Sequence, residues 1–192
     1  MAEPTSRFRL IPNTTATTAV DTAAERKATI TSQSVVSTGS GNEVDFGTVD
    51  ISGGAANSGV KHVLWDITAD GGNTSASDFR IWLSTSGFDQ ASTKVKYRAV
   101  SGADNGSPSN TANYVANATT SSYTFSDMAT SLPGAQNAYP TNEASSMALS
   151  TTSADVVFWA MYLAIAAGET TGTYSGVTSG YGLQLSLRYT YS

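Results

Sequence analysis

Alternation of apolar and polar residues is the feature that most constrains how this chain can fold. Near the C-terminus every second residue is apolar and the residues between are polar or charged; the apolar positions are Leu183, Leu185, Leu187, Tyr189 and Tyr191. A period of two puts all of these side chains on one face of a β-strand. The segment therefore predicts a strand with one face against a core and the other toward water.

The same pattern recurs along the chain. Segments 44–51, 62–67, 79–83 and 94–100 alternate in this way, and turn sequences rich in Gly, Asn and Asp stand among them. The segment 156–165 is apolar on both faces, which predicts a central strand covered on both sides. A buried helix is the competing interpretation, but the β-branched and aromatic start favours a strand. We therefore expect an all-β fold, an antiparallel β-sandwich or jelly roll.

Residues 1–30 differ from the rest of the chain. They carry four of the ten Lys and Arg residues. A short apolar segment, Phe8, Leu10 and Ile11, lies between Pro4 and Pro12. The stretch 13–19 has no apolar face, so we expect an extended N-terminal arm that either reaches a neighbouring subunit or lies loose. The candidate assembly residues on this arm are Arg7, Phe8, Arg9, Leu10 and Ile11.

Residues 31–192 are expected to form a single β-sandwich domain. The region from about 101 to 150 is long, low in charge and rich in Asn, Ser, Thr and Ala, so we expect a long loop region there. One helical turn is expected near 126–129, where Ser126 or Asp127 can cap it.

The residue counts exclude several classes of site. The chain has no cysteine, which excludes disulfides, thiolate zinc sites, iron–sulfur clusters and cysteine nucleophiles. The single histidine, His62, excludes any site that needs two histidines from one chain. The net charge of −5 is opposite to the basic excess of nucleic-acid-binding proteins, so we expect no nucleic-acid partner.

Membrane association and export are not expected either. The longest apolar run, 156–167, is too short to span a bilayer. No apolar segment typical of a secretory signal follows Met1, so we expect the chain to be used without export.

His62 and Asp66 are the first candidates for catalysis. They stand four residues apart, so on a strand they share one face, and a serine could complete a hydrolase triad. The chain has no Gly-x-Ser-x-Gly elbow, and serine is abundant throughout. We therefore favour a surface histidine on a half-buried strand, and we expect no enzymatic activity.

Two groups of carboxylates are candidates for glycoside cleavage or calcium binding. The groups are Glu43, Asp45 and Asp50, and Asp66, Asp70 and Asp78. Neither has the spacing of a known calcium loop, and an aspartate in a turn commonly accepts hydrogen bonds from nearby backbone amides. We expect no metal site and no cofactor, with calcium as the alternative.

Two surface features are candidates for partner contacts. By alternation Trp82 lies on the same strand face as Arg80, where it could contact another chain, stack on a sugar or be covered by a loop of its own domain. Lys94, Lys96 and Arg98 form a basic stripe on another strand. The stripe could dock on an acidic surface such as a capsid shell, but we favour protection of an edge strand against pairing with other sheets.

The segment 168–176 resembles the tyrosine corner of immunoglobulin-like Greek-key sandwiches. In that feature a Gly precedes a Tyr by two positions, as Gly172 precedes Tyr174, and the Tyr hydroxyl bonds the backbone at the corner. Thr170 stands where an acidic residue is usual. The resemblance implies a sandwich and no particular function.

The wider profile resembles the head-decoration (cement) proteins of tailed phages. The shared features are the arm, the all-β body, low charge, many small polar residues and no cysteine. The resemblance implies a trimer or other cluster fixed on a capsid. We therefore expect a non-enzymatic virion subunit, made in the host cytoplasm, that self-associates and binds a shell protein; the alternative is a glycan- or receptor-binding β-sandwich module.

Overall fold

A computed structural model of the chain describes residues 2–11, 35–36, 44–85, 93–100, 117–140, 145–149, 157–169 and 184–192. These residues form ten β-strands and no helix, so the predicted all-β class is confirmed for this part of the chain. The strands are β1 (Thr5–Ile11), β2 (Val35–Val36), β3 (Ala56–Asn57), β4 (Lys61–Ala69), β5 (Ser75–Thr85), β6 (Thr93–Val100), β7 (Ser126–Asp127), β8 (Ser146–Ala148), β9 (Val157–Ile165) and β10 (Gln184–Tyr191).

The strands form two sheets. The larger sheet has the order β2-β1-β4-β9-β6-β7, and β3 also pairs with β9. The smaller sheet has the order β10-β5-β8. Every pairing between the described strands is antiparallel, as the half-buried strand pattern predicts.

The main core lies between the two sheets. Alternate residues of β5, namely Phe79, Ile81 and Leu83, are almost fully buried there. They share the core with Trp65 and Trp159 of the larger sheet, and the rings of Trp65 and Phe79 lie 5.6 Å apart between centroids. Burial of one such aromatic side chain stabilises the fold by roughly 1.5–3 kcal/mol. Two antiparallel sheets with a shared core confirm the predicted β-sandwich, while the described strands do not establish the jelly-roll variant.

Strand β9 is the centre of the larger sheet, as its apolar residues predict. It pairs with β4 on one side and with β6 on the other. Trp159 and Met161 join the core between the sheets, and Ala160 and Tyr162 join a second apolar cluster on the outside. All four residues are buried, so the strand is covered on both faces.

The N-terminal segment departs from the predicted arm. Thr5–Ile11 is strand β1 and pairs along its length with β4 of the same chain. Phe8 packs edge-on against Trp159, with ring centroids 5.9 Å apart, and Leu10 packs against the same core. Because the apolar residues alternate with two arginines, the segment meets the requirements of a sheet strand. An extended arm is thus not confirmed at these residues, and 12–30 lie outside the described residues.

Part of the predicted long loop is built into the sandwich. Ser126–Asp127 is strand β7 on the edge of β6, so the predicted helical turn is wrong there. The backbone N–H of Met128 continues the pairing by donating to the carbonyl of Val95. An available strand edge satisfies these backbone groups without a helix. Residues 101–116 and the proposed tyrosine corner at Gly172 and Tyr174 lie outside the described residues.

The segment 44–51 is not a strand, contrary to its alternating pattern. Val44 and Phe46 nevertheless pack against the main core. Asp45 and Asp50 instead accept hydrogen bonds from backbone N–H groups two residues further on, which is typical of turns. Local turn chemistry thus overrides the period-two pattern in this segment.

Both ends of the described chain meet at the turn between β4 and β5. The backbone N–H of Ala2 donates to the carbonyl of Gly71 over 3.0 Å, and Asn73 Nδ2 donates to the carbonyl of Ala2 over 2.8 Å. Ser192 exchanges two backbone hydrogen bonds with Ser75, of 3.0 and 3.1 Å. One turn therefore holds the beginning of β1 and the end of β10, which belong to different sheets.

Candidate functional site

The outer face of the larger sheet contains a buried ion cluster. Asp66 is 1% exposed, and its two carboxylate oxygens accept hydrogen bonds of 3.0 to 3.3 Å from Nε and Nη2 of Arg7 on the neighbouring strand β1. Arg9 Nε lies 3.7 Å from the same carboxylate. Burial, together with the nearby charge of Arg7, lowers the pKa of Arg9. The two predicted arm arginines therefore neutralise an aspartate of their own chain.

His62 is fully buried on this face, so the expected surface histidine is wrong. Its Nε2 lies 3.1 Å from the hydroxyl of Tyr123. Burial lowers the pKa of His62 to about 3, so the ring is neutral near pH 7. Asp66 binds the arginines and His62 Nε2 contacts the hydroxyl of a tyrosine, so both named members of the hypothetical triad have other partners.

The cover over His62 comes from a distant part of the chain. Residues 117–125 lie on the outer face of the larger sheet, where Ala118 and Tyr123 are buried in a second apolar cluster with residues of β4 and β9. Phe125 stacks edge-on against Tyr162 of β9, with centroids 4.8 Å apart. These contacts exclude water from this part of the sheet, and the alternation of β4 alone does not reveal them.

The basic stripe lies on β6, next to the last strand of the larger sheet. Lys96 forms an ion pair with Asp127 of β7. Arg98 is half-buried, and its Nε is buried with no hydrogen-bond partner among the described residues. Of Lys94 only the backbone pairing with Ala164 is described. Neither capsid docking nor edge protection is tested by this geometry, and both stay predictions.

The candidate calcium ligands serve other contacts. Asp45, Asp50 and Asp70 each accept a backbone N–H within their own turn, and the N–H of Ser52 holds the pKa of Asp50 below its usual value. Asp78 is paired with Arg80. Within the described ranges no three Asp, Glu or His side chains come together as a metal site would require. Glu43 lies outside those ranges.

The outer face of the smaller sheet brings four polar or amphipathic side chains together, and we call this surface the Trp82 face. Its members are Arg80 and Trp82 of β5 and Ser186 and Arg188 of β10. The register places Ser186 opposite Trp82 and Arg188 opposite Arg80. The alternation of β5 predicts Trp82 and Arg80 on one face, and this placement is confirmed because Ile81 between them is buried in the core. The two β10 members were missed, because only the strand register identifies them.

Arg80 is held in place by three contacts. Its Nε donates to Asp78 Oδ1 over 2.9 Å, Nη2 lies 2.7 Å from Asp78 Oδ2, and Nη1 donates to the carbonyl of Pro133 over 2.9 Å. Asp78 adopts a left-handed backbone with φ of 55°. Asp78 lies at a β-bulge. Arg80 pairs with Arg188 and Ser77 pairs with Thr190, so two residues of β5, Asp78 and Phe79, stand opposite the single residue Tyr189 of β10. The bulge brings Asp78 to the guanidinium.

Strand β10 has an outer edge that no described strand pairs with. Its inner edge pairs with β5, and Leu185, Leu187 and Tyr189 pack against the core. Arg188 is the only charged residue of the strand. We call this side of the strand the β10 edge.

Asn137 pairs with the edge of β5 that faces away from β10, and it is not among the site residues that the sequence predicts. Its side-chain amide accepts from the backbone N–H of Ile81 over 2.8 Å and donates to the carbonyl of Ile81 over 2.9 Å. Nδ2 also lies 3.2 Å from the hydroxyl of Tyr97 on β6. One side chain thus takes the place of a backbone partner and connects the two sheets. Nothing in the composition of this Asn-rich segment distinguishes Asn137.

Comparisons with known proteins provide no relative: no family model, no curated protein and no solved structure matches this chain. Across the described ranges no helix has the length and apolar character needed to cross a membrane. The Trp82 face and the β10 edge are the two surfaces of the described chain that fit contact with a partner or ligand.

Proposed function

We propose that this chain is a non-enzymatic structural subunit of a virion, a decoration subunit that self-associates and stabilises a capsid shell. The observation that carries the proposal is the β10 edge. A strand edge presents unpaired backbone N–H and C=O groups, and such an edge is a template for pairing with another chain. A trimer is the form that the resemblance to decoration proteins favours.

The residues of β10 support pairing with another subunit. An eight-residue edge strand is long, and proteins that avoid association usually shorten such a strand or place several charges on it. β10 carries one charge, and irregularities in its register lie between Gln184 and Leu185 and between Arg188 and Thr190. The regular stretch 185–188 is the part of the edge to which a neighbouring strand can add.

The absence of an enzymatic role is part of the proposal, and the contacts of the titratable groups support it. Asp66 is neutralised by Arg7 and Arg9, and Asp78 is neutralised by Arg80. His62 is sealed from water and neutral. Catalytic acids and bases need access to a substrate, whereas these groups make contacts that hold strands together.

The same contacts change the role that we propose for the N-terminal segment. Arg7 to Leu10 were candidate assembly residues, but in the described chain they contribute to their own sheet and core. We therefore propose that the β10 edge, rather than strand β1, makes the contact between subunits.

Native mass in solution tests self-association through this edge. The informative variant is the double substitution Gln184→Lys and Thr190→Lys, because both positions are exposed and two added charges oppose strand addition. The control adds the same charge at two exposed positions outside the strands, with Thr48→Lys and Thr124→Lys. We expect a trimer or larger assembly for the wild type and the control, and a monomer for the edge variant.

A wild-type chain that is monomeric at every concentration would contradict self-association. An edge variant that keeps the wild-type mass would exclude the β10 edge as the interface. Circular dichroism of each variant establishes that it is folded before its mass is interpreted.

A further inference from the structure

The Trp82 face has the chemistry of a ligand site, and two of its four residues, Ser186 and Arg188, belong to β10. The chain has three tryptophans, and Trp65 and Trp159 are fully buried in the core. Trp82 is half-buried on the outer face, and its indole makes no ring contact or hydrogen bond with any described residue. The exposed part of an indole in this position can stack on a ring.

The charges beside Trp82 are unbalanced. Arg80 and Arg188 are directly opposite each other on neighbouring strands, and like charges in this arrangement destabilise a sheet. Asp78 neutralises Arg80. Arg188 is exposed and has no ion-pair partner among the described residues. The described residues of this face therefore carry one uncompensated positive charge beside a half-buried indole.

We propose that the Trp82 face binds a saccharide that carries a carboxylate. The sugar ring stacks on the indole of Trp82, and the carboxylate pairs with the guanidinium of Arg188. Arg80 is already held by Asp78 and the carbonyl of Pro133, so Arg188 is the cation of this face that remains for the ligand. The hydroxyl of Ser186, opposite Trp82, is available to a sugar hydroxyl.

The surroundings favour a saccharide over an acidic peptide. A peptide or protein partner is usually held by several apolar anchors packed together at the centre of the contact. Among the described residues of this face Trp82 is the single aromatic one, and its neighbours across the strand pair, Ser186 and Arg188, are polar. One flat ring among polar groups matches the alternating apolar and hydroxyl surfaces of a sugar.

Calorimetric titration with a galacturonate hexamer tests the proposal, with maltohexaose as the neutral probe and polyglutamate as the acidic peptide probe. We expect saturable binding of the galacturonate hexamer and at least about tenfold weaker binding of maltohexaose, because the neutral sugar lacks the charge-assisted hydrogen bonds. Tryptophan fluorescence follows the same titration, and Trp82 is the tryptophan that a ligand can reach.

Two substitutions separate the contributions. Trp82→Ala removes the stacking surface and should abolish binding; Arg188→Glu lies at an exposed position, leaves folding intact and should abolish binding as well. Lys96→Gln on the other sheet is the charge control and should bind the galacturonate hexamer like the wild type.

The proposal is overturned by the absence of galacturonate binding at millimolar concentration, or by binding that survives Arg188→Glu. Polyglutamate binding of equal strength overturns it in favour of an acidic peptide. Native mass is measured for the wild type and for Trp82→Ala, whose position on β5 lies outside the β10 edge, so loss of ligand binding is distinguished from loss of assembly.

Discussion

Asp66 and Arg7 form a two-pronged ion pair between β4 and β1, in which the carboxylate is almost fully buried and the guanidinium is partly exposed. Arg9 faces the same carboxylate and is itself buried. This arrangement makes the N-terminal strand part of the fold, because Asp66 has no other cationic partner among the described residues.

Substitution of Asp66 by alanine should destabilise the protein strongly. Removal of the carboxylate leaves the buried Arg9 uncompensated, which costs about 3–5 kcal/mol in comparable buried pairs. Asp127→Ala is the matched control, because its ion pair with Lys96 is much more exposed and should contribute under about 1 kcal/mol. Urea unfolding measures both. Equal free energies of unfolding for the two variants would contradict the role assigned to Asp66.

Stability should decrease as the pH falls below about 6.5, because of His62. The ordinary pKa of a histidine is 6.5, and burial lowers the pKa of His62 in the folded protein to about 3. Between these two pH values only the unfolded state binds the proton. The contribution of neutral His62 to the free energy of unfolding is complete above pH 6.5. It is lost as the pH falls, at about 1.4 kcal/mol per pH unit.

His62→Gln removes this titration and keeps an amide that can bond to Tyr123. Urea unfolding between about pH 6.5 and 5, above the range in which most carboxylates titrate, should show the slope in the wild type and a flatter profile in the variant. Because His62 is the only histidine, the comparison isolates it. If the free energy of unfolding changed with pH equally in the wild type and in His62→Gln, His62 would not be buried as described.

Asn137→Asp should destabilise the sandwich by roughly 1–3 kcal/mol, because the carbonyl of Ile81 loses its donor and the site gains a carboxylate. Asn57→Asp on the exposed strand β3 is the control and should have little effect. Thermal unfolding compares the two. If Asn57→Asp lowered the melting temperature as much as Asn137→Asp does, a specific role for Asn137 would be excluded.

Gly71 and Gly72 provide a matched test of how the N-terminus is held. Both have positive φ, of 65° and 82°, so alanine at either position is strained by roughly 1–2 kcal/mol. A Cβ at Gly71 would in addition collide with the carbonyl of Ala2, whereas a Cβ at Gly72 meets open space. Gly71→Ala should therefore release the first residues, and hydrogen exchange at the amide of Ala2, which donates to the carbonyl of Gly71, should increase only in that variant. Equal exchange in both variants would contradict the contact.

Much of the sandwich could be predicted from the alternation of apolar residues. The inward residues of β5 and the double-sided burial of β9 both follow from the sequence pattern, because the period of two determines which side chains share a face. The apolar residues of 5–11 alternate as well, but the following stretch 13–19 has no apolar face, and it favours an arm.

The parts of the fold and of the candidate site that the sequence does not predict depend on contacts between residues far apart in the chain. The burial of His62 depends on residues 117–125, and alternation indicates a face without indicating what covers it. The Trp82 face likewise needs the register of β5 against β10, which places Arg188 opposite Arg80. A period in the sequence does not determine the register between two strands.

Co-sedimentation with capsid shells tests the central claim most directly. The shells are assembled from the coat protein that the same genome encodes, and the purified chain is added at increasing concentration. The account predicts saturable binding and shells that resist heating better than bare shells. A chain that stays in the supernatant at every concentration, with no change in shell stability, would contradict the proposed decoration function.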